Sequence, residues 1–146
     1  ELPAGGAVQL IDYIFQQIVP MLREKYTVDD QKISLYGHSL GGLFVLWSYL
    51  TYPESFYKYV AISPSIWWNN HELFRTIQQS EKPFAAALYI GVGGEEGDMV
   101  EDAQKFVEMA SEKWINYEFY IAESENHASV IPTTMSRVLR FLKSNE

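Results

Sequence analysis

The sequence predicts an α/β fold: a sheet of about four parallel strands with helices on both faces. Helical and strand-like segments alternate along the whole chain, five of the first kind and four of the second. Strands separated by helices pair in parallel, because a parallel crossover needs about the length of a helix. The 146 residues, of which 47% are hydrophobic and 21% charged, fit one compact domain over residues 1–146.

The first elements can be followed in order along the chain. Apolar residues recur in steps of three and four across 7–26 and predict a helix, which Pro20 should kink or restart. Residues 32–36 (KISLY) are typical of a short strand. That strand leads into the segment GHSLGG and then into an apolar helix over 43–52, which Pro53 ends.

The second half of the chain continues the alternation. Short strands that are apolar or alternate with polar residues are predicted at 59–63, 84–92 and 115–122. The helices between and after them have start signals: Asn70 as an N-cap, Asp98 and Glu101 at capping-box spacing, and Pro132 opening the last helix.

Composition excludes several functional classes. The net charge of −8 argues against nucleic acid and anionic membranes as partners. Ten acidic residues and two lysines lie between Gly93 and Asn126, which we interpret as a solvated acidic face. The absence of cysteine excludes a thiolate nucleophile and a thiolate zinc site, and no metal or organic cofactor is implied. No apolar run approaches the roughly 20 residues of a membrane helix.

One motif carries chemistry. Gly37-His38-Ser39-Leu40-Gly41 matches G-x-S-x-G and lies between a predicted strand and a predicted helix, the setting of a nucleophile elbow. In such a turn the serine hydroxyl projects above the sheet, and side chains at Gly37 and Gly41 would clash. The backbone N–H of Leu40, which starts the helix, can hold a developing oxyanion. We therefore predict Ser39 as a nucleophile; the alternative is a glycine-rich turn with an incidental serine.

A serine nucleophile needs a base, and the chain has three histidines. His127 follows the last predicted strand, in a loop that can reach the C-terminal edge of the sheet, so we predict it as the base. We expect a surface role for His71 on a polar helix face. We place His38 at the substrate pocket in a structural role, because its ring is expected to point away from the nucleophile.

The acid of a serine–acid–histidine set is expected just after the third predicted strand. Glu96 is our first choice, Glu95 the second and Asp98 the third, since Asp98 is expected to cap the following helix. The carboxylate would hold one tautomer of His127 and stabilise the imidazolium that forms. The choice among these acids, or of none, stays open at this point.

Four ordered segments, GHSLGG, AISPSIWW, GVGGEE and ENHASVIP, together resemble the putative-esterase family of α/β-hydrolases. That family includes esterase D, feruloyl esterases and trilactone siderophore esterases, and SPSIWW looks closest to the siderophore-esterase branch. The resemblance implies that Ser39 is the nucleophile and His127 the base, and that residues 63–68 form part of the pocket wall, including Ser63, Trp67 and Trp68. It also implies a small-molecule ester as the partner.

The sequence departs from that family in one large way. An α/β-hydrolase has about eight strands, and its elbow follows the fifth, whereas here one predicted helix precedes the elbow. We therefore expect the chain to be the C-terminal part of a longer protein, without the loop that gives the second oxyanion N–H. The elbow strand, central in the family, should lie at a sheet edge. We expect another copy of the chain or the missing segment to cover that edge.

The leading functional hypothesis is a serine carboxylesterase that works through an acyl-enzyme, with a siderophore trilactone as the suggested substrate. A feruloyl or acetyl-sugar esterase is one alternative. A non-catalytic or truncation-inactivated fragment of the hydrolase fold is another. On the first hypothesis Trp67 and Trp68 stack on an aromatic acyl group such as a catecholate; otherwise they pack in the core.

Overall fold

The computed structural model describes residues 5–81 and 83–144. The chain divides into two compact units, Glu1–Ile33 and Ser34–Glu146. The prediction of one domain over residues 1–146 is not decided by this division.

The first unit contains helical elements interrupted at a proline. Helix α1 (Ala7–Tyr13) continues into a π-helical turn (Ile14–Ile18) and then into α2 (Val19–Lys25). Pro20 lies in the first turn of α2, where its missing N–H needs no helical partner. The N–H of Val19 donates a hydrogen bond to the carbonyl of Ile14, five residues earlier, and this π-type bond widens the helix just before the proline. A π-helical turn thus interrupts the helix just before Pro20, where a kink or a restart was predicted.

The second unit contains the sheet. Its elements, in order, are β1 (Leu35–His38), α3 (Leu40–Thr51), β2 (Lys58–Ile62), α4 (Trp68–Gln79), β3 (Ala87–Gly93), α5 (Asp98–Glu112), β4 (Tyr117–Ala122) and α6 (Val130–Lys143). The four strands pair in parallel in the order β1-β2-β3-β4. The predicted fold class is confirmed, and β1, the strand before the serine motif, lies at an edge of the sheet as expected.

Alternate residues of the strands face different helix layers. On one face, Tyr59 meets Tyr49 of α3 edge to face, with ring centroids 5.1 Å apart. On the other face, Val60 and Ile62 form a buried cluster with α6 residues such as Val138. Helix α4 contacts both α3 and α5, so these three helices form one layer and α6 packs opposite them. The sheet is therefore covered on both faces, as parallel sheets generally are.

Two predicted helix caps are wrong. Asn70 is no N-cap: Asn69, Asn70 and His71 form a left-handed turn at the start of α4, with φ of 49°, 54° and 57°. Asp98 is not a cap either, because it is the first residue of α5 and the cap position belongs to Gly97. Gly97 has φ +57°, a conformation that glycine adopts at little cost.

Several predicted boundaries are also shifted. β1 begins at Leu35 instead of residue 32, β3 at Ala87 instead of 84, and β4 at Tyr117 instead of 115. Helix α3 begins at Leu40, earlier than predicted, and α6 at Val130, two residues before Pro132.

Across residues 5–81 and 83–144, no helix is both long and apolar enough to cross a membrane.

Candidate active site

The C-terminal ends of all four strands lead directly into chemically useful side chains. Ser39 follows β1 and Ser63 follows β2, each by one residue. Glu96 comes three residues after β3, and His127 five residues after β4. Because parallel strands end at the same edge of a sheet, these residues gather where α/β proteins usually bind ligands.

Ser39 occupies a strained turn. Its φ of 60° and ψ of −121° are unusual for a residue with a side chain, and strain of this kind is concentrated at functional sites. Its N–H donates to the carbonyl of Ile62 at the end of β2 (3.0 Å), and its carbonyl accepts from Leu43 in α3 (3.0 Å). The turn is thus joined to both the sheet and the helix, as in a nucleophile elbow.

The glycines around Ser39 have unequal roles. A Cβ on Gly37 would lie 2.1 Å from the carbonyl oxygen of Gly41. A Cβ on Gly42 would lie 2.9 Å from the carbonyl oxygen of Ile62. Gly41 has no described atom within 4 Å of such a Cβ, so the predicted clash at Gly41 is wrong. The crowded positions are Gly37 and Gly42, where the elbow closes on itself and where α3 approaches β2.

The hydroxyl of Ser39 has a second serine beside it. Ser39 Oγ lies 3.3 Å from Ser65 Oγ, and the N–H of Ser65 donates to the carbonyl of Ser39 at 3.1 Å. Ser65 is 1% exposed. Among the described residues, no hydrogen bond joins the Ser39 hydroxyl to the His127 ring. Catalytic hydrogen bonds are often long before substrate binds and shorten in the complex.

Glu96 is the acid that contacts His127. Its side chain is 2% exposed, and its Oε1 pairs with Nδ1 of His127. Its Oε2 accepts hydrogen bonds from the N–H of Gly93 (2.6 Å) and from the hydroxyl of Ser63 (2.5 Å). The buried carboxylate therefore has three donors, as a buried charge requires. Glu95 and Asp98, the other two candidates, are exposed.

The loop that carries His127 is ordered by hydrogen bonds among its neighbours. Asn126 Oδ1 accepts from the N–H groups of Ala128 (2.9 Å) and Ser129 (3.1 Å), which forms an Asx turn. Ser129 Oγ in return accepts from the N–H of Asn126 (2.9 Å). His127 is therefore presented by a short turn that opens directly into α6.

The turn after β3 and the loop after β4 are joined through their backbones. Gly94 N–H donates to the carbonyl of Ala122 (2.8 Å), and Glu95 N–H to that of Glu125 (3.0 Å). A Cβ on Gly93 would lie 2.4 Å from the carbonyl oxygen of Glu125. The close approach that brings Glu96 to His127 thus depends on glycine at position 93.

The ring of His38 lies against that of His127. The two ring centroids are 4.4 Å apart, and His38 Nε2 donates to the carbonyl of His127 at 2.9 Å. Burial, and then the nearby His127, lower the pKa of His38 below its ordinary value. The hydrogen bond from His38 helps to hold the His127 loop over the end of β1.

The remaining predicted residues differ in their exposure to solvent. Trp67 and Trp68 are exposed by 48% and 41%, with ring centroids 5.9 Å apart, so they are not core residues among the part of the chain described. Ser63 is fully buried beneath Glu96 and does not offer an open surface. His71 pairs with Asp102 (3.0 Å) on the helix layer, in line with the surface role expected.

Sequence reasoning missed two supports of the site. The first is Ser65. Its signal in the sequence was its position two residues after Ser63, with Pro64 between them, in the segment that follows β2. The second is the N–H of Gly93, which no side-chain pattern reveals. Within residues 5–81 and 83–144 no group of three His, Cys, Asp or Glu side chains is arranged to hold a metal ion.

The parallel sheet, the strained serine turn and the acid–histidine pair at one sheet edge define the class of α/β-hydrolase folds. The chain belongs to the family described as “Putative esterase”, which matches residues 3–134. The family resemblance stated from the sequence is therefore confirmed.

Individual relatives of the chain are named as siderophore esterases. The chain is 34% identical over 149 residues to the ferri-bacillibactin esterase BesA of Bacillus subtilis, covering 94% of this chain and 52% of that protein. It is 42% identical over 71 residues to the siderophore enterobactin esterase of Emericella nidulans, covering 47% of this chain and 23% of that protein.

Solved structures agree with this assignment. The BES protein from Bacillus cereus superimposes with a TM-score of 0.85 at 34% identity, covering 97% of this chain and 56% of that one. The siderophore hydrolase EstB from Aspergillus nidulans gives a TM-score of 0.77 at 26% identity, covering 94% of this chain and 58% of that one. The chain thus spans about half the length of the relatives that it matches along most of its own length.

Proposed function

We propose that this chain carries the catalytic residues of a serine esterase that cleaves its substrate through an acyl-enzyme. The observation that carries the proposal is the pairing of His127 with the buried Glu96 at the sheet edge where Ser39 occupies its strained turn. Membership of an esterase family and the esterase names of the relatives support the same reaction class.

The roles follow from the hydrogen bonds. Glu96 accepts from Nδ1 of His127, so the neutral imidazole carries its proton there and leaves Nε2 as the base. Ser39 attacks the ester carbonyl while His127 takes its proton. His127 then protonates the leaving alcohol, and a water molecule, activated in the same way, hydrolyses the acyl-enzyme.

The oxyanion requires donors that the protein holds in place beforehand. Leu40 is the first residue of α3, where N–H groups have no partner within the helix and the helix dipole favours negative charge. We assign its N–H to the oxyanion. Loss of one such donor typically lowers kcat about 10²–10³-fold, so the number of donors in the intact site strongly affects turnover.

The substrate class proposed is an aromatic siderophore ester. Relatives named as siderophore esterases support this assignment, and so do the exposed Trp67 and Trp68, which Ile66 separates from Ser65 in the chain. Their rings provide flat apolar area at the edge of the site, and catecholate rings bind well to such surfaces.

The proposal is tested by labelling with a fluorophosphonate probe and reading the intact mass. A single adduct is expected on the parent chain and on Ser48→Ala, a buried serine of α3 remote from the strand ends, but not on Ser39→Ala. An adduct that persists in Ser39→Ala contradicts the assignment of the nucleophile.

If the parent forms no adduct, the proposal of a working site in this chain is contradicted. The same labelling on a chain extended at its N-terminus then distinguishes a truncated enzyme from a non-catalytic module. If labelling succeeds, hydrolysis of a catecholate trilactone, a feruloyl ester and a short-chain acyl ester identifies the substrate class. Preference for the feruloyl ester would contradict the siderophore assignment.

A further inference from the structure

A buried serine lies beside the predicted nucleophile, and the reaction described above does not use it. Ser65 Oγ has, within the described part of the chain, one hydrogen-bond partner, which is Ser39 Oγ. The backbone of Ser65 is fixed by its donation to the carbonyl of Ser39, and the residue is 1% exposed. Its hydroxyl therefore has a fixed position next to the atom that would react.

We propose that Ser65 is a further catalytic residue, whose hydroxyl donates a hydrogen bond to Ser39 Oγ during acylation and deacylation; the inference rests on the proposed esterase function.

The direction of this hydrogen bond follows from the proton inventory of the site. His127 Nδ1 donates to Glu96, so Nε2 is an acceptor that receives the Ser39 proton. With the proton of Ser39 directed to His127, the contact between the two hydroxyl oxygens is a hydrogen bond only if Ser65 donates. The separation of 3.3 Å is long for two hydroxyls, and such contacts shorten as a reacting complex forms.

The donated hydrogen bond matters most when Ser39 Oγ leaves. In acylation the Oγ–C bond forms, the ester C–O bond breaks, and the proton of Ser39 passes through His127 to the alcohol. In deacylation water adds to the acyl carbon and gives a proton to His127. The Oγ–C bond then breaks, and Oγ takes that proton back. Negative charge accumulates on Oγ as this bond breaks, and hydrogen bonds to charged groups are stronger than those between neutral groups.

The segment that carries Ser65 is rigid enough to hold such a donor. Ser63 has φ +43° and is held by its N–H to the carbonyl of Gly91 (2.7 Å). Pro64 follows with its restricted φ, and its Cα lies 3.0 Å from where a Cβ on Gly42 would stand. Ser65 is therefore held between β2 and α3 and does not depend on a mobile loop.

The test is pre-steady-state hydrolysis of p-nitrophenyl acetate by the parent, Ser65→Ala and Ser48→Ala. Ser48 is a matched control, because it is a buried serine whose hydroxyl has no partner among the described residues. For Ser65→Ala we expect deacylation to slow about 10- to 100-fold and acylation about 3- to 10-fold. The acetyl-enzyme should then accumulate, as a burst of p-nitrophenol and as a mass increase on Ser39.

Misfolding would reduce the amplitude of the burst but would not change the ratio of the two rates. Should Ser65→Ala fail to fold, Ser65→Cys carries the test, since its weak S–H donor predicts an intermediate deacylation rate. Equal deacylation rates in the parent and in the Ser65 variants overturn the role of Ser65 and leave the proposed esterase function standing. Equal slowing in Ser48→Ala overturns it as well. A parent that forms no adduct at Ser39 overturns the proposed function and this inference together.

Discussion

Gly37→Ala should destabilise the protein far more than the same change at Gly41, four residues away. At position 37 the new Cβ would lie 2.1 Å from the carbonyl oxygen of Gly41 and 2.4 Å from its carbon. Both are backbone atoms, so no side-chain rotation relieves the overlap, and the end of β1 must move away from the first turn of α3. At position 41 no described atom lies within 4 Å.

The magnitudes follow from these distances. Extra methylenes in packed interiors cost about 1–3 kcal/mol when neighbours adjust, and here the neighbour is backbone, so we expect at least about 3 kcal/mol for Gly37→Ala. Gly41 lies in α3, where alanine is favoured over glycine by about 0.5–1 kcal/mol. The two variants should differ by about 4 kcal/mol, which for a chain of this size separates their Tm values by about 13 °C.

Urea and thermal unfolding followed by circular dichroism measure this difference. Gly42→Ala serves as an intermediate case, because its Cβ would lie 2.9 Å from the carbonyl oxygen of Ile62. The expected order of stability is Gly41→Ala first, then the parent, then Gly42→Ala and last Gly37→Ala. If Gly41→Ala loses as much stability as Gly37→Ala, the account of the elbow glycines is refuted.

Three further predictions concern polar side chains of the second unit. Tyr59→Phe should cost about 1–2 kcal/mol in urea unfolding, because Tyr59 donates to the carbonyl of Tyr52 at 2.6 Å. Tyr89→Phe should be neutral or stabilising, because its buried hydroxyl has no partner among residues 5–81 and 83–144; a loss equal to that of Tyr59→Phe would contradict this. The lowered pKa of His38 makes the stability depend on pH. Its contribution is fully present above pH 6.5, the ordinary pKa of histidine, and is lost as the pH falls toward the lower pKa of the folded state. Between pH 7.5 and 5.5 the parent should therefore lose more stability than His38→Gln, and equal losses would exclude His38 as a source.

The alternation of helices and strands was predictable because the central strands β2 and β3 are apolar enough to be buried on both faces, whereas β4 alternates apolar with more polar or smaller residues. The strand starts were not, since they depend on a neighbour. β1 pairs with β2 from Leu35 opposite Tyr59, and β3 pairs with it from Ala87 opposite Lys58. The residues before Ala87 have strand-like composition, but β2 begins at Lys58 and offers them no partner.

Ser39 and His127 were predictable as candidate residues because each follows a strand end in a recognisable setting. The acid was not decided by spacing, because Glu95 and Glu96 are adjacent and only one can turn toward His127. The N–H of Gly93 and the hydroxyl of Ser63 select Glu96 by capturing its Oε2. Backbone donors and a serine at positive φ leave no pattern in a single sequence, so the choice of Glu96 follows only from the three-dimensional structure.

The segment after β2 links the two ends of the candidate site. Ser63 contacts Glu96, which holds His127, while Ser65 contacts Ser39. Only Pro64 separates them, and all three residues are buried between the sheet and α3. Through these two contacts the segment couples the position of Glu96 to that of Ser39. The His127 loop is joined to the end of β1 by a separate contact, the hydrogen bond from His38 Nε2 to the His127 carbonyl. His127 is therefore restrained twice, at its ring by the Glu96 carboxylate and at its backbone by His38, and both restraints keep it at the sheet edge where Ser39 lies.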